Sequence, residues 1–411
     1  MPASQYFNLF KQYPYLLTFG LLMTCLSGFG QTFFIGSFNY YIIEDFGLTN
    51  ELFGRLYSLA TLASALIINQ LGKLYDRFNI IIYSSIVILG LIGACLSLSL
   101  GTGMIFLWLG LFMVRLFGQG LMSHTSITTM AKFFTDNRGK ALGFAGLGYP
   151  VSEAIFPLIA SVSLAAGIYW RNLWLYAGIF LLIICLPVIY YLLTHARKNI
   201  YTQAQAQQAN TSKSSNNSYT KRQVIRDWRF YTILPVALSP ALVNTAIFFQ
   251  QNHITSIKSW TPELFGIGFT IYAASTVFAS VYGGQLTDKY SATNLLKFFA
   301  IPLCIALFCL ASINNSIALY LFMILSGISS GIGVLMSGAL WAEIYGTEHL
   351  GDIRSMVLSY IIFSTSLTPW LTGWLIDFGI NFNYIIAGLG VYVLAGIFLS
   401  YIPKFNVASK S

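Results

Sequence analysis

Gly72-Lys73-Leu74-Tyr75-Asp76-Arg77 returns, little altered, as Gly284-Gln285-Leu286-Thr287-Asp288-Lys289, so the chain is two halves built on one plan. Each copy closes a long apolar run and opens onto a short charged turn. Each therefore reads as the inner end of one membrane helix and the start of the next. Glycine lets two helices approach closely, and the Asp and the basic residue mark where water begins. The repeat extends outward from this stretch. Gln31-Thr32 with Asn39 lines up with Asn244-Thr245 and Asn252 at nearly the same offset, and Phe33-Phe34 and Phe248-Phe249 lie close to register.

Charged residues make up 9% of the chain and hydrophobic ones 56%, a balance that a soluble domain of 411 residues could not carry on its surface. A helix needs about 20 apolar residues to cross the hydrocarbon. The length thus leaves room for roughly twelve spans with short connections, and the expected fold is all-α: twelve transmembrane helices in two pseudo-symmetric six-helix bundles. Residues 5 to 12 read as a short amphipathic lead without the features of a cleaved leader, and Pro14 as the start of span 1.

In order, the spans fall near 14 to 43, 52 to 72, 79 to 100, 104 to 130, 139 to 168 and 173 to 194. A second set lies near 230 to 257, 262 to 287, 292 to 313, 316 to 343, 353 to 378 and 382 to 402. The halves are thus 1–195 and 230–411. The stretch 196–229 between them, rich in Gln and Ser with scattered basic residues, has a composition that cannot build a packed core and reads as a cytoplasmic linker.

Of the 22 basic residues, only Arg55, Arg171 and Lys258 fall on outer loops and Arg115 inside a span; the rest lie on inner loops and tails. This asymmetry places both termini in the cytoplasm, in a cell inner (plasma) membrane. It also explains the net charge of +9 without nucleic acid, since the basic residues are dispersed rather than gathered on one face. Cys25, Cys95, Cys185, Cys304 and Cys309 lie in apolar runs without metal-ligand spacing and read as small core residues, so no metal or other cofactor is expected.

No other charge lies as deep as Arg115 in span 4 and Glu153 in span 5. At about 1.5 Å per residue both fall near the middle of a core roughly 30 Å thick, in antiparallel neighbours. An isolated charge there costs several kcal/mol, so the simplest expectation is that the two pair or line one watery cavity. In the functional reading Arg115 anchors an anionic group, while Glu153 carries a coupling proton or releases Arg115 when substrate arrives. In the structural reading they form a permanent packing pair. Internal repeats put substrate sites at the midplane, so Gln31, Asn244, Gln250 and Gln251 are neutral donors for the same purpose, with helix glue as their alternative role. His124, near the inner end of span 4, joins them as a group able to titrate in the physiological range.

The G-x-L-x-D-[RK] pair resembles the loops between spans 2 and 3 and between spans 8 and 9 of the major facilitator superfamily. That resemblance covers essentially the whole chain and implies conformational gating by Gly72, Asp76, Arg77, Gly284, Asp288 and Lys289. There the Asp faces the dipole end of a span in the opposite half and helps hold one of two alternating conformations. Phe133-Phe134 followed by Arg138, Ala141, Gly143, Ala145, Gly148 and Pro150 resembles the span 4 to 5 signature of the monocarboxylate transporters and the oxalate/formate antiporters, which adds Arg138 to the gating set. The sequence departs from that branch in span 8, where Leu264 to Leu286 holds no charge, and in the cores of spans 1 and 11. Arg115 must then do most of the electrostatic work on an anion. Asp377, closing a third G-x-L-x-D stretch from Gly373, reads as an echo of the repeat without a coupling role.

No phosphate-binding G-x-x-x-x-G-K-[ST] loop is present, so an ion gradient or solute exchange must supply the energy. Paired histidines, a nucleophile elbow and clustered carboxylates are absent as well, which argues against an enzyme. The expected protein is a secondary active transporter, a monomer with membrane lipid, protons and a small-molecule substrate as partners. A carboxylate or other organic anion is the first reading of that substrate. A larger amphiphilic solute, such as a siderophore or drug, is the second.

Overall fold

The computed structural model describes residues 3–134, 137–206 and 219–403, and gives the backbone alone for residues 3–6, 69, 76, 197–206, 284–285, 287–288 and 335. All its regular elements are helices. Nine are long and apolar enough to cross a membrane, and the bent pair Pro14–Gly30 and Thr32–Phe46 makes a tenth, span 1. The nine are span 2 (Asn50–Gly72), span 3 (Ile80–Leu100), span 4 (Met104–Phe133), span 5 (Arg138–Ala165), span 6 (from Trp170), span 7 (Trp228–Phe249), span 8 (Glu263–Tyr290), span 10 (Ile317–Tyr345) and span 12 (Phe382–Ser400). Span 9 is shorter, Ile301–Ser312, and follows a single helical turn at Ala292–Leu295. Span 11, Leu350–Asp377, is long and rich in Ser and Thr. Of the twelve expected spans, ten among the described residues, counting the bent pair as one, are long and apolar enough to cross a membrane, and helices stand at the places of the other two.

Local chemistry sets the ends. Asn79 accepts from the Ile81 amide to start span 3, Asn381 does the same through Asn383 for span 12, and Pro14 opens span 1 where its missing N–H costs nothing. Gly47, at φ 61°, closes span 1 in the left-handed region that glycine enters freely. One end differs from expectation. The span 6 helix continues to Ala206, because alanine, glutamine and arginine carry helical order past the apolar run. The central part of the expected linker, residues 207–218, lies outside the described residues.

The repeat shows in the packing of each unit taken by itself. The first compact unit comprises Met1–Leu48 and Leu56–Thr211, the second Thr49–Arg55 and Ser212–Ser411. In the first, span 3 packs on spans 4 and 6, and span 1 on spans 4, 5 and 6; in the second, span 9 packs on spans 10 and 12, and span 7 on spans 10, 11 and 12. Adding six to each number turns one pattern into the other. Large apolar side chains remain exposed along the spans, Leu66, Ile105, Ile183 and Phe398 among them, as befits helices facing lipid tails.

Inside the units, hydroxyls and small residues replace the hydrophobic drive that lipid does not supply. Thr24 of span 1 donates to Ser126 of span 4 at 2.7 Å, and Ser126 donates to the Gly20 carbonyl at 2.7 Å. Cations close two helix ends. Arg171 donates to the Leu98 carbonyl at 3.2 Å and to the Gly101 carbonyl at the end of span 3, while pairing with Asp45 at 2.9 Å. Lys258 closes span 9 in the other unit through the Ile313 carbonyl at 3.0 Å and Asn314 Oδ1 at 3.3 Å.

Candidate functional site

Span 1 breaks at its middle. Ser27–Gly30 tightens to a 3-10 turn and Gln31 then runs extended, at φ −86° and ψ 153°, before the helix resumes at Thr32. The break removes the amide that would have met the Gly30 carbonyl, because Phe34 and Ile35 both donate to Gln31 instead. Arg115 fills the gap: its Nη1 donates to Gly30 at 2.9 Å, and its guanidinium lies 5.1 Å from the centre of the Tyr57 ring. Tyr57, on span 2, in turn hydrogen-bonds Thr32 at 2.9 Å. Spans 1, 2 and 4 thus converge on one cation.

The arrangement depends on close backbone approach. Around Arg115 span 4 widens into π-helix over Val114–Met122, a distortion that recurs at functional sites. Gly30 lies so near this stretch that a Cβ there would stand 2.2 Å from the Gln119 amide nitrogen and 2.4 Å from the Val114 carbonyl. On span 5, Ser152 and Phe156 crowd Gly28 in the same way. The broken stretch therefore touches both span 4 and span 5.

Arg115 and Glu153 are both buried, at 4% and 2% exposure, yet among the described residues they form no ion pair. Of the two arrangements expected from sequence, this removes the first, direct pairing. The freed Gly30 carbonyl and the Tyr57 ring take the guanidinium, while Glu153 Oε2 has no hydrogen-bond partner. Nε of Arg115 is likewise buried and unpartnered. Guanidinium N–H groups are fixed donors, so one donor of the Arg115 fork is left unmet.

The remaining residues singled out from sequence divide into groups. Gln31 is buried at the span 1 break. Asn244 of span 7 donates to the Tyr272 hydroxyl at 2.9 Å and to Ser330 Oγ at 3.0 Å, joining spans 7, 8 and 10. Gln250 donates to Thr372 of span 11 at 3.2 Å, and Gln251 to the Phe248 carbonyl at 3.0 Å. His124 sits beside Gly72, where a Cβ would stand 3.1 Å from its Nε2, and its ring meets Tyr75 edge-on. It lies about 13 Å along the helix from Arg115.

Gly72 ends span 2 and a 3-10 turn, Lys73–Asp76, follows; Arg77 and Arg138 are exposed. The second copy of the repeat does not turn where the first does, because its helix runs on to Tyr290 and the chain reverses at Ser291, φ 66°. Lys289 there lies over the Tyr290 ring at 5.1 Å. Of Asp76, Gly284 and Asp288 the backbone alone is described.

Sequence reasoning passed over Tyr57, Tyr272 and Ser330. A signal was available: Tyr272 follows Tyr57, and Ser330 follows Arg115, by one and the same interval. Asp377 is more than an echo. Its carboxylate accepts from Asn50 Nδ2 at 2.9 Å and from the Glu51 amide at 2.6 Å, both within the second compact unit, and so caps the start of span 2. Burial, the largest single influence, raises the Asp377 carboxyl; the hydrogen bonds from Asn50, Glu51 and Thr49 together outweigh it and hold the group below its ordinary value.

Comparison with known proteins agrees with this architecture. The family model described as Major Facilitator Superfamily matches residues 20–251 and again 236–410, and the chain belongs to that family. It is a multi-pass membrane transporter of a family that moves small molecules. Among solved structures it is similar to a bacterial homologue of the human lysosomal transporter Spinster in an inward-facing, occupied conformation, at 16% identity over 95% of this chain and 96% of that one, TM-score 0.65. It is similar also to a mutant of the nucleoside transporter NupG, at 14% identity over 95% and 98% of the two chains, TM-score 0.70. At such identities the likeness establishes the fold alone. No curated protein matches in sequence.

Proposed function

We propose that the chain is a proton-coupled secondary transporter of a small organic anion, most simply a carboxylate, working by alternating access in the inner (plasma) membrane with both termini cytoplasmic. The observation that carries this reading is the buried Arg115 with an unpartnered Nε and, among the described residues, no carboxylate of its own. A solute carboxylate would supply the missing counter-charge through two parallel hydrogen bonds. Glu153 is assigned the coupling proton. An unpaired carboxylate at that depth costs several kcal/mol, and a bound proton removes the cost. The gating role of Asp76, Arg77, Arg138, Asp288 and Lys289, and the resemblance to monocarboxylate and oxalate/formate carriers, belong to the same proposal.

The test is uptake into proteoliposomes of radiolabelled monocarboxylates under an imposed pH gradient. Accumulation that follows the gradient, and that Arg115→Gln abolishes, is expected. Counterflow that no gradient alters would remove the coupling, and carboxylate uptake undiminished by Arg115→Gln would remove the anion site.

A further inference from the structure

Spans 7, 8 and 10 each send one polar side chain to a common point inside the second unit. Asn244 Nδ2 spends its protons on the Tyr272 hydroxyl and on Ser330 Oγ, and the Tyr272 hydroxyl donates to Ser330 Oγ at 2.9 Å. Two capacities are left over. Asn244, 8% exposed, has an Oδ1 with no hydrogen-bond partner. Ser330 Oγ accepts twice, while its own proton meets no acceptor among the described residues. A buried amide that served only to hold helices together would have both ends met, since an unmet buried polar atom is costly.

The geometry points to a binding site, at Asn244, Tyr272 and Ser330, for a hydroxyl group of the transported solute. A hydroxyl gives one proton and accepts through two lone pairs, so a single such group satisfies Oδ1 and the Ser330 proton together. Turning the amide end for end leaves Nδ2 unmet instead, and a hydroxyl satisfies that as well. Other groups fit less well. With the amide as it stands, a carboxylate would set its charge against Oδ1, and an ammonium group has no lone pair for the Ser330 proton.

The duplicated scaffold supports the assignment. Tyr57 and Arg115 in the first half stand 58 residues apart, as Tyr272 and Ser330 do in the second. Tyrosine is kept in both copies, and where one carries a guanidinium the other carries a hydroxyl. One copy is thus suited to an anion and the other to a neutral polar group. The inference rests on the transport reading and narrows it to solutes that carry a hydroxyl group.

Lactate and propionate, which differ by one hydroxyl, serve as probes, with binding to the purified full-length chain followed by thermal unfolding. Lactate is expected to bind the unaltered protein about tenfold more tightly. Ser330→Ala and Asn244→Leu should each bring the ratio to about one; using two variants, each checked for a single gel-filtration peak, covers the failure of either to fold. Equal affinity for the two acids in the unaltered protein, or a preference that survives in both folded variants, overturns the proposal. If neither acid binds, the anion reading fails by itself, and glycerol against propanediol poses the hydroxyl question without a charge. Absence of a preference there too overturns the site.

Discussion

Arg115 Nη1 donates to the Gly30 carbonyl across 2.9 Å and so ties the π-helical part of span 4 to the break in span 1. The contact satisfies a backbone acceptor that no amide can reach, and it commits one side of the guanidinium while leaving Nε unpartnered. Structural and solute-binding roles can therefore coexist in one side chain, because they use different N–H groups. Arg115→Lys keeps the charge and loses the fork and the stacking on Tyr57. We expect a loss of about 1–3 kcal/mol in unfolding free energy and at least a tenfold fall in solute affinity, read from thermal unfolding with and without ligand.

Glu153→Gln gives the opposite pattern. Removing one partner of a buried ion pair costs about 3–5 kcal/mol, but Glu153 has no such partner to abandon. Stability should change by less than about 1 kcal/mol, while uptake driven by a pH gradient disappears and solute exchange persists. A large loss of stability would show that Glu153 is engaged in packing after all.

Backbone approach at the break is open to a direct test. Gly30→Ala brings a methyl carbon against the Val114 carbonyl and the Gln119 amide and should destabilise by about 1–3 kcal/mol or more. Gly146→Ala, where a Cβ meets nothing within 4 Å, should be neutral or stabilise by up to about 1 kcal/mol. Denaturation of the two variants side by side separates crowding from a general intolerance of alanine.

At the start of span 2 the prediction concerns pH. The carboxyl of Asp377 is held below its ordinary value of 3.8, so its contribution to stability is fully present above that value and is lost as pH falls through the depressed one. Asp377→Asn should lower the thermal midpoint at neutral pH, and the difference from the parent should shrink steadily below pH 3.8. A difference that stays constant down the acid range would remove the carboxylate cap.

Hydropathy made most of the spans legible, because lipid forces such a crossing to declare itself in about 20 consecutive residues; the short span 9 and the Ser- and Thr-rich span 11 declare themselves less. The repeat was legible for the same reason: Gly72 to Arg77 and Gly284 to Lys289 are punctuation between such runs. Side-chain partners were not. Depth along a helix can be counted, and Arg115 and Glu153 are indeed both buried, but partner choice turned on the break at Gln31. Nothing in Ser27-Gly28-Phe29-Gly30-Gln31 demands an extended residue, since glycine there also serves close packing alone. Asn244 could be nominated as polar and deep, whereas its partnership with Tyr272 and Ser330 required the angular positions of three helices.

Arg171 and Lys258 bear on how topology is read from sequence. Both count as exceptions in the tally of loop charges, yet each is occupied in ending a neighbouring helix, and Arg171 is neutralised by Asp45 besides. A cation so engaged serves as mortar rather than as free charge. Discounting such residues leaves Arg55 as the lone dissent in the vote for orientation, and suggests a refinement for any polytopic chain: score a loop cation by the helix end it closes before scoring it by its sign.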